Sequence, residues 1–203
     1  MRRPSKHLDH LTLAMTAAID IGFIVVMFLM ITAKPLPFTE IRNIQLPYST
    51  LTAISDLDGE SATIYIGHGK IRFQMSDTIR RQTLIAMGKK HRLNFSKSEI
   101  ANFKKVAIVE VPIDSLKLHV NGYDNESYVN AVGIRIDSTN NELADWIKES
   151  RKACYDLCAG ERLHFYIYAD QREEYPQIKR IFDILEQQGE HKWSLITWTK
   201  SKQ

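Results

Sequence analysis

The sequence has little of what most enzymes and nucleic-acid binders need. It contains two cysteines, Cys154 and Cys158, four apart in a stretch that reads as helix. Helical neighbours at that spacing have Cβ atoms about 5–6 Å apart, whereas a relaxed disulfide wants roughly 3.5–4.5 Å. The pair is therefore expected to be two buried small residues on one face. Histidines 68, 91, 119, 164 and 191 are scattered without metal-ligand spacing. No Ser–His–Asp or Cys–His grouping stands out, and neither cysteine has an adjacent histidine. Gly67-His68-Gly69 lacks the lysine and helix start of a phosphate-cradling loop. Enzyme chemistry and bound metal thus have no foothold. Basic residues form no long run and the net charge is only +3, which argues against a nucleic-acid partner. Repeats and low-complexity segments are also missing.

Long apolar runs are equally scarce, with one exception. The overall texture, 44% hydrophobic and 25% charged, resembles an ordinary soluble protein, but residues 11–33 carry a single charge. At 1.5 Å per residue this run is roughly 34 Å long, enough to cross a hydrocarbon core of about 30 Å. It is longer than the apolar stretch of a cleaved signal peptide, and Ile31-Thr32-Ala33-Lys34-Pro35 is a poor cleavage site. A transmembrane helix over 11–33 is expected, with residues 1–10 as a short tail. Arg2, Arg3 and Lys6 crowd that tail. Lys34 and Arg42, with Glu40 between them, are spread over a longer stretch beyond the run. The positive-inside bias places the N-terminus in the cytoplasm and exports the remainder.

The single charge in the run is Asp20. A carboxylate at mid-membrane costs about 2.5–3.5 kcal/mol on insertion scales. At helical spacing its face comprises Leu13, Thr16, Ala17, Phe23, Ile24, Met27 and Ile31. Thr16 places a hydroxyl one turn earlier, and Ala17 and Gly22 add little bulk, a surface suited to burial against protein. Intramembrane carboxylates usually lie on ion or proton paths, and pairing with a polar residue of a partner helix is the plainer alternative.

The rest of the chain is long enough to bury one modest core. Prolines 35 and 37 end helical structure, and residues 41–47 read as a short extended segment. Residues 63–66 and 70–73 flank Gly67-His68-Gly69 as a hairpin. Residues 77–90 have helical spacing, ending in a solvated basic cluster of Lys89, Lys90, His91 and Arg92. Ser96 and Glu99 form a capping box, and so do Thr139 and Glu142, the second opening a helix to about Leu157. Residues 106–111 and 132–136 read as strands. Residues 163–169 alternate as a strand, Tyr175, Ile178, Ile181, Phe182 and Leu185 share a helical face with Pro176 in the first turn, Gly189 stops that helix, and 193–199 is a final strand. Strand, helix, strand implies an α/β domain.

Two separated stretches carry a family resemblance. Met15-Thr16-Ala17-Ala18-Ile19-Asp20-Ile21, followed by the apolar run and then Ile44-Gln45-Leu46-Pro47, resembles the start of the ExbD/TolR family, which has a Thr-Pro-x-Ile-Asp signature in its membrane helix and a Leu-Pro soon after it. Ala169-Asp170, Tyr175, Ile181, Asp183-Ile184-Leu185 and Gly189 look like that family's strand–helix–strand close. Ala17 stands where the family keeps its proline, and Ala14 where an asparagine is expected. Residues 74–130 match nothing in the pattern and are expected to be an insertion.

The resemblance implies an α/β fold: one membrane helix, a periplasmic linker with a short strand over 34–61, and a periplasmic domain over 62–203. It implies an inner-membrane, proton-driven motor subunit that energises TonB-dependent outer-membrane transport. Asp20 would take up and release the proton and Thr16 would neighbour its path, with no cofactor beyond the proton as coupling ion. The implied partners are a second copy, an ExbB-like pentamer, a TonB-like periplasmic protein and membrane lipid, and residues 41–46 would supply a strand that pairs within the dimer. A TolR-like envelope-maintenance role shares the same features. A signal-anchored periplasmic scaffold or binding module, with Asp20 incidental, is the reading from a different class.

Overall fold

The computed structural model describes residues 6–32, 43–50, 59–121, 131–137, 140–191 and 193–199, with side chains from residue 19 onward in the first helix. The chain divides into two compact units, Met1–Leu36 and Pro37–Gln203.

The first unit contains helix α1, Lys6–Thr32. Every side chain described in it, from Ile19 to Thr32, is exposed. The Thr32 hydroxyl donates back to the Phe28 carbonyl one turn earlier, at 2.7 Å, which satisfies it without water. Among the described residues no helix is long and apolar enough to cross a membrane.

The second unit is mixed α/β. Strand β1 is Tyr48–Ser49, β2 is Ser61–Gly67 and β3 is Lys70–Met75. Helices α2 (Asp77–Lys90) and α3 (Lys97–Phe103) follow, then β4 (Ile108–Val109), a 3-10 turn at Ile113–Ser115 and α4 (Leu116–Asn121). Helix α5 (Glu142–Leu157), β5 (His164–Ala169), α6 (Tyr175–Gln187), β6 (Trp193–Leu195) and β7 (Trp198–Thr199) complete the described elements. Five of these strands form one sheet in the order β4-β3-β2-β5-β6, and β1 pairs with β7 in a second. β2 runs antiparallel to β3 and parallel to β5, and β5 runs parallel to β6 across α6.

The alternation of the strands decides which face is core. Ile64, Ile66, Phe73, Phe165 and Ile167 are buried with Ile79, Leu84 and Met87 of α2, Leu143, Trp146 and Ile147 of α5, and Ile181 and Leu185 of α6. The intervening Thr63, Tyr65, Tyr166 and Tyr168 are half-buried on the opposite face. The β2–β3 hairpin turns through His68 (φ 57) and Gly69 (φ 67). Two successive positive φ values match the twist of the flanking strands, hence the glycine.

The α2 bounds match the expected helix, and Ser96–Glu99 forms the expected reciprocal box. Other expectations need correction. The basic cluster ending α2 is not merely solvated: Lys90 and His91 both bind Asp145 of α5, at 2.5 and 3.0 Å. Residues 132–136 do not form a strand. Gly133 (φ 89) breaks the extended run, and a Cβ there would meet the Ile71 backbone nitrogen at 3.0 Å. The segment bonds irregularly instead, Gly133 N–H to the Glu110 carbonyl and Ile134 N–H to the Ile71 carbonyl.

The cap of α5 is Asn141, whose side chain accepts the Ala144 N–H at 3.1 Å; Thr139 lies outside the described residues. Glu142 turns inward, fully buried, and accepts the Ile113 N–H at 3.0 Å. The strand expected over 106–111 shrinks to β4 on the sheet edge. The one expected over 193–199 splits in two, because Trp198 N–H leaves the sheet for the Pro47 carbonyl. Both cysteines are free; Cys154 is buried, but Cys158 is half-buried at the α5 C-cap.

Candidate functional site

The residue that the sequence singles out, Asp20, sits on α1 and is exposed. Around it Ile19, Ile21, Phe23 and Ile24 are each more than 60% exposed. Apolar side chains continue through Met30 and Ile31 on every side of the helix. Along its described side chains α1 is therefore apolar all round apart from Asp20 and Thr32, the kind of surface that lipid or a partner protein covers. Among the described residues no hydrogen bond or ion pair engages Asp20. Thr16 lies one turn earlier on the same helix; its side chain is outside the described residues, so the expected Thr16–Asp20 neighbourhood stands on helical spacing alone.

A second constellation lies in the Pro37–Gln203 unit, where the segment just before β1 is pinned to the C-terminal end of β5. Asp170, 1% exposed, follows β5 directly. Its Oδ2 accepts the Gln45 backbone N–H at 3.2 Å and Arg172 Nη2 at 2.7 Å, and its Oδ1 accepts Arg172 N and Nε, both at 3.0 Å. Gln171 N–H returns to the Gln45 carbonyl at 2.7 Å, and Arg172 Nη2 reaches the Asn43 carbonyl at 3.4 Å.

Ile44 lies over Gly67, where a Cβ would come 3.1 Å from its Cγ1. The bare backbone of Gly67 therefore lets the segment seat. Tyr48 and Ser49 then pair with Trp198 and Thr199. The hydrogen bonds from the Arg172 side chain hold the Asp170 carboxyl well below the usual carboxylate range. Burial alone would raise it, and the backbone N–H groups of Arg172 and Gln45 help to overcome that.

The strand expected over 41–46 is thus not a strand in its described part. Residues 44–47 are an irregular clasp, and the strand begins at Tyr48. Sequence reasoning noted Asp170 only as part of a motif and missed its role. The available signal was an acid closing an alternating strand with an arginine two residues on. Among the described residues no group of three or more His, Cys, Asp or Glu side chains is placed to hold a metal ion.

Comparison with known families places these two features together. The family described as "Biopolymer transport protein ExbD/TolR" matches residues 6–200, from the first residue of α1 to just beyond β7. No curated protein and no solved structure matches the chain. The match takes in both the Asp20 helix and the Asp170 clasp within one family pattern: the chain belongs to the ExbD/TolR family of biopolymer transport proteins.

Proposed function

We propose that this chain is the proton-carrying, ExbD-like subunit of an inner-membrane motor that energises TonB-dependent outer-membrane transport. Membership of the ExbD/TolR family supports an energising-motor subunit working with ExbB/TolQ-type partners. In this reading residues 11–33 span the membrane with residues 1–10 in the cytoplasm, and the Pro37–Gln203 unit lies in the periplasm. The 27 residues of α1 measure roughly 40 Å as a helix, longer than a hydrocarbon core of about 30 Å.

The observation that carries the reading is a lone exposed carboxylate, Asp20, on a helix whose other described side chains, from Ile19 to Ile31, are apolar on all sides. Lipid would surround the apolar faces at no cost but leaves the carboxylate about 2.5–3.5 kcal/mol uphill. Two copies of α1 enclosed by an ExbB-like pentamer remove that cost by giving Asp20 a protein-lined site where a proton can be taken up and released. Thr16, one turn away, would line its path.

Asp20→Asn tests this. The variant keeps the side chain's size and should still co-purify with the ExbB-like subunit, while uptake of a TonB-dependent substrate is lost. Loss of detergent resistance with uptake intact would assign the Tol-type envelope role instead. Full activity in both assays would refute the motor reading.

A further inference from the structure

A cleft of about 370 Å³ opens beside the C-terminal half of α5, lined by Lys148, Arg151, Lys152 and Tyr155 on one face of that helix, with Arg162 and Glu190 opposite. Residues 148, 151, 152 and 155 fall together because three- and four-residue steps return to the same side of a helix. Arg162 is brought back over them by a tight reversal. Ala159 (φ 53) and Gly160 (φ 84) both take the left-handed conformation, and Gly160 N–H caps the Tyr155 carbonyl at 3.1 Å. Leu163, 2% exposed, anchors the returning chain in the core. Ala159 holds this conformation without being glycine, so the reversal is enforced by what flanks it.

The lining is electrically unbalanced. Four cations, Lys148, Arg151, Lys152 and Arg162, face two carboxylates, Glu161 and Glu190, a surplus of two positive charges. Arg151 is oriented by Glu190 Oε2 at 3.3 Å from its Nε and by the Gln188 carbonyl at 2.8 Å from its Nη1, which leaves Nη2 free to donate. Among the described residues no ion pair engages Lys148, Lys152 or Arg162. Lys148 and Lys152, at i and i+4, repel one another. Tyr155, 65% exposed, adds a hydroxyl and an apolar wall.

We propose that this cleft is a binding site for a dianionic phosphoryl group, carried by a lipid headgroup or free in solution. The charge surplus equals the ligand's charge. Several converging ammonium and guanidinium donors suit an oxyanion with three or four oxygens better than a flat carboxylate. The volume lies at the small end of ligand pockets and suits a headgroup-sized ligand. This site is independent of the motor reading.

Lysine acylation of the full chain in phosphatidylcholine nanodiscs, read by mass spectrometry, tests it. In one arm inorganic phosphate replaces chloride at equal ionic strength; in the other, phosphatidic acid is added to the nanodiscs. At ligand concentrations about tenfold above its Kd, which fill roughly nine-tenths of the sites, either should slow acylation of Lys148 and Lys152 about tenfold relative to exposed Lys97 and Lys104. Protection by free phosphate assigns a soluble anion, and protection only with phosphatidic acid assigns a headgroup. Arg162→Ser should abolish the protection. Absence of protection in both arms, equal slowing of Lys97 and Lys104, or full protection in Arg162→Ser would each overturn the proposal.

Discussion

Replacing Asp170 by Asn probes whether the segment before β1 is held down by one carboxylate. Four hydrogen bonds end on that group, three from Arg172 and one from the Gln45 N–H. Asn keeps the shape but offers a single uncharged acceptor oxygen, and turns an NH2 toward donors that need an acceptor. The Arg172 pair contributes little by itself, since the guanidinium is 55% exposed and screened. The half-buried, charge-assisted bond from Gln45 is worth more, about 1.5–3 kcal/mol. Taken together, the clasp should weaken by about 2–3 kcal/mol.

Because 1.4 kcal/mol is tenfold in an equilibrium, the Gln45 amide should exchange about 30- to 150-fold faster. Ile64 and Ile167 in the sheet should change little. The pH dependence follows from the lowered folded value: stabilisation is complete above the ordinary carboxylate pKa of about 4 and is lost as pH falls through that lower value. Wild-type protection at Gln45 should therefore persist down to about pH 4, while Asp170→Asn lacks it at every pH. Unchanged exchange at Gln45, or an equal loss throughout the sheet, would refute the clasp.

Gly67→Ala places a methyl 3.1 Å from Ile44 Cγ1 and should loosen residues 43–45 by about 1 kcal/mol, visible in the same exchange experiment with the hairpin intact. Burial, reinforced by Cys158 beside it, pushes the Cys154 thiol up to about 12. Iodoacetamide at pH 8 should then modify the half-buried Cys158 in the folded protein and Cys154 only after unfolding; equal labelling rates by mass spectrometry would contradict this. Glu142→Ala strips the Ile113 N–H of its acceptor and should cost about 1–3 kcal/mol in urea denaturation, whereas Glu142→Gln retains an acceptor oxygen and should cost less.

Where the physics is local, the sequence is a sufficient guide. Ser96 and Glu99 satisfy each other within one turn. Gly69 is needed wherever two strands reverse through positive φ. The apolar spacing of residues 77–90 makes a helix whatever it packs on. The same holds for the family pattern, which is carried by the order of residues along the chain.

Where two distant segments compete for the same backbone groups, the order of residues decides less. Residues 132–136 have strand composition, but Gly133 must pass within contact of Ile71, and that neighbour exists only in the folded sheet. Glu142 was expected to cap its own helix. The buried Ile113 N–H claims it instead, because an unpaired donor inside the core costs more than an uncapped amide at a surface. Asp170 is the clearest instance. Its partner Gln45 lies 125 residues away, and no periodicity reports such a contact. By itself the sequence determined the α/β class, the family, and an apolar stretch over 11–33 whose single charge is Asp20. Only the tertiary structure decided that the segment before β1 is tied to the end of β5, since long-range hydrogen bonds depend on which chain ends the sheet brings together.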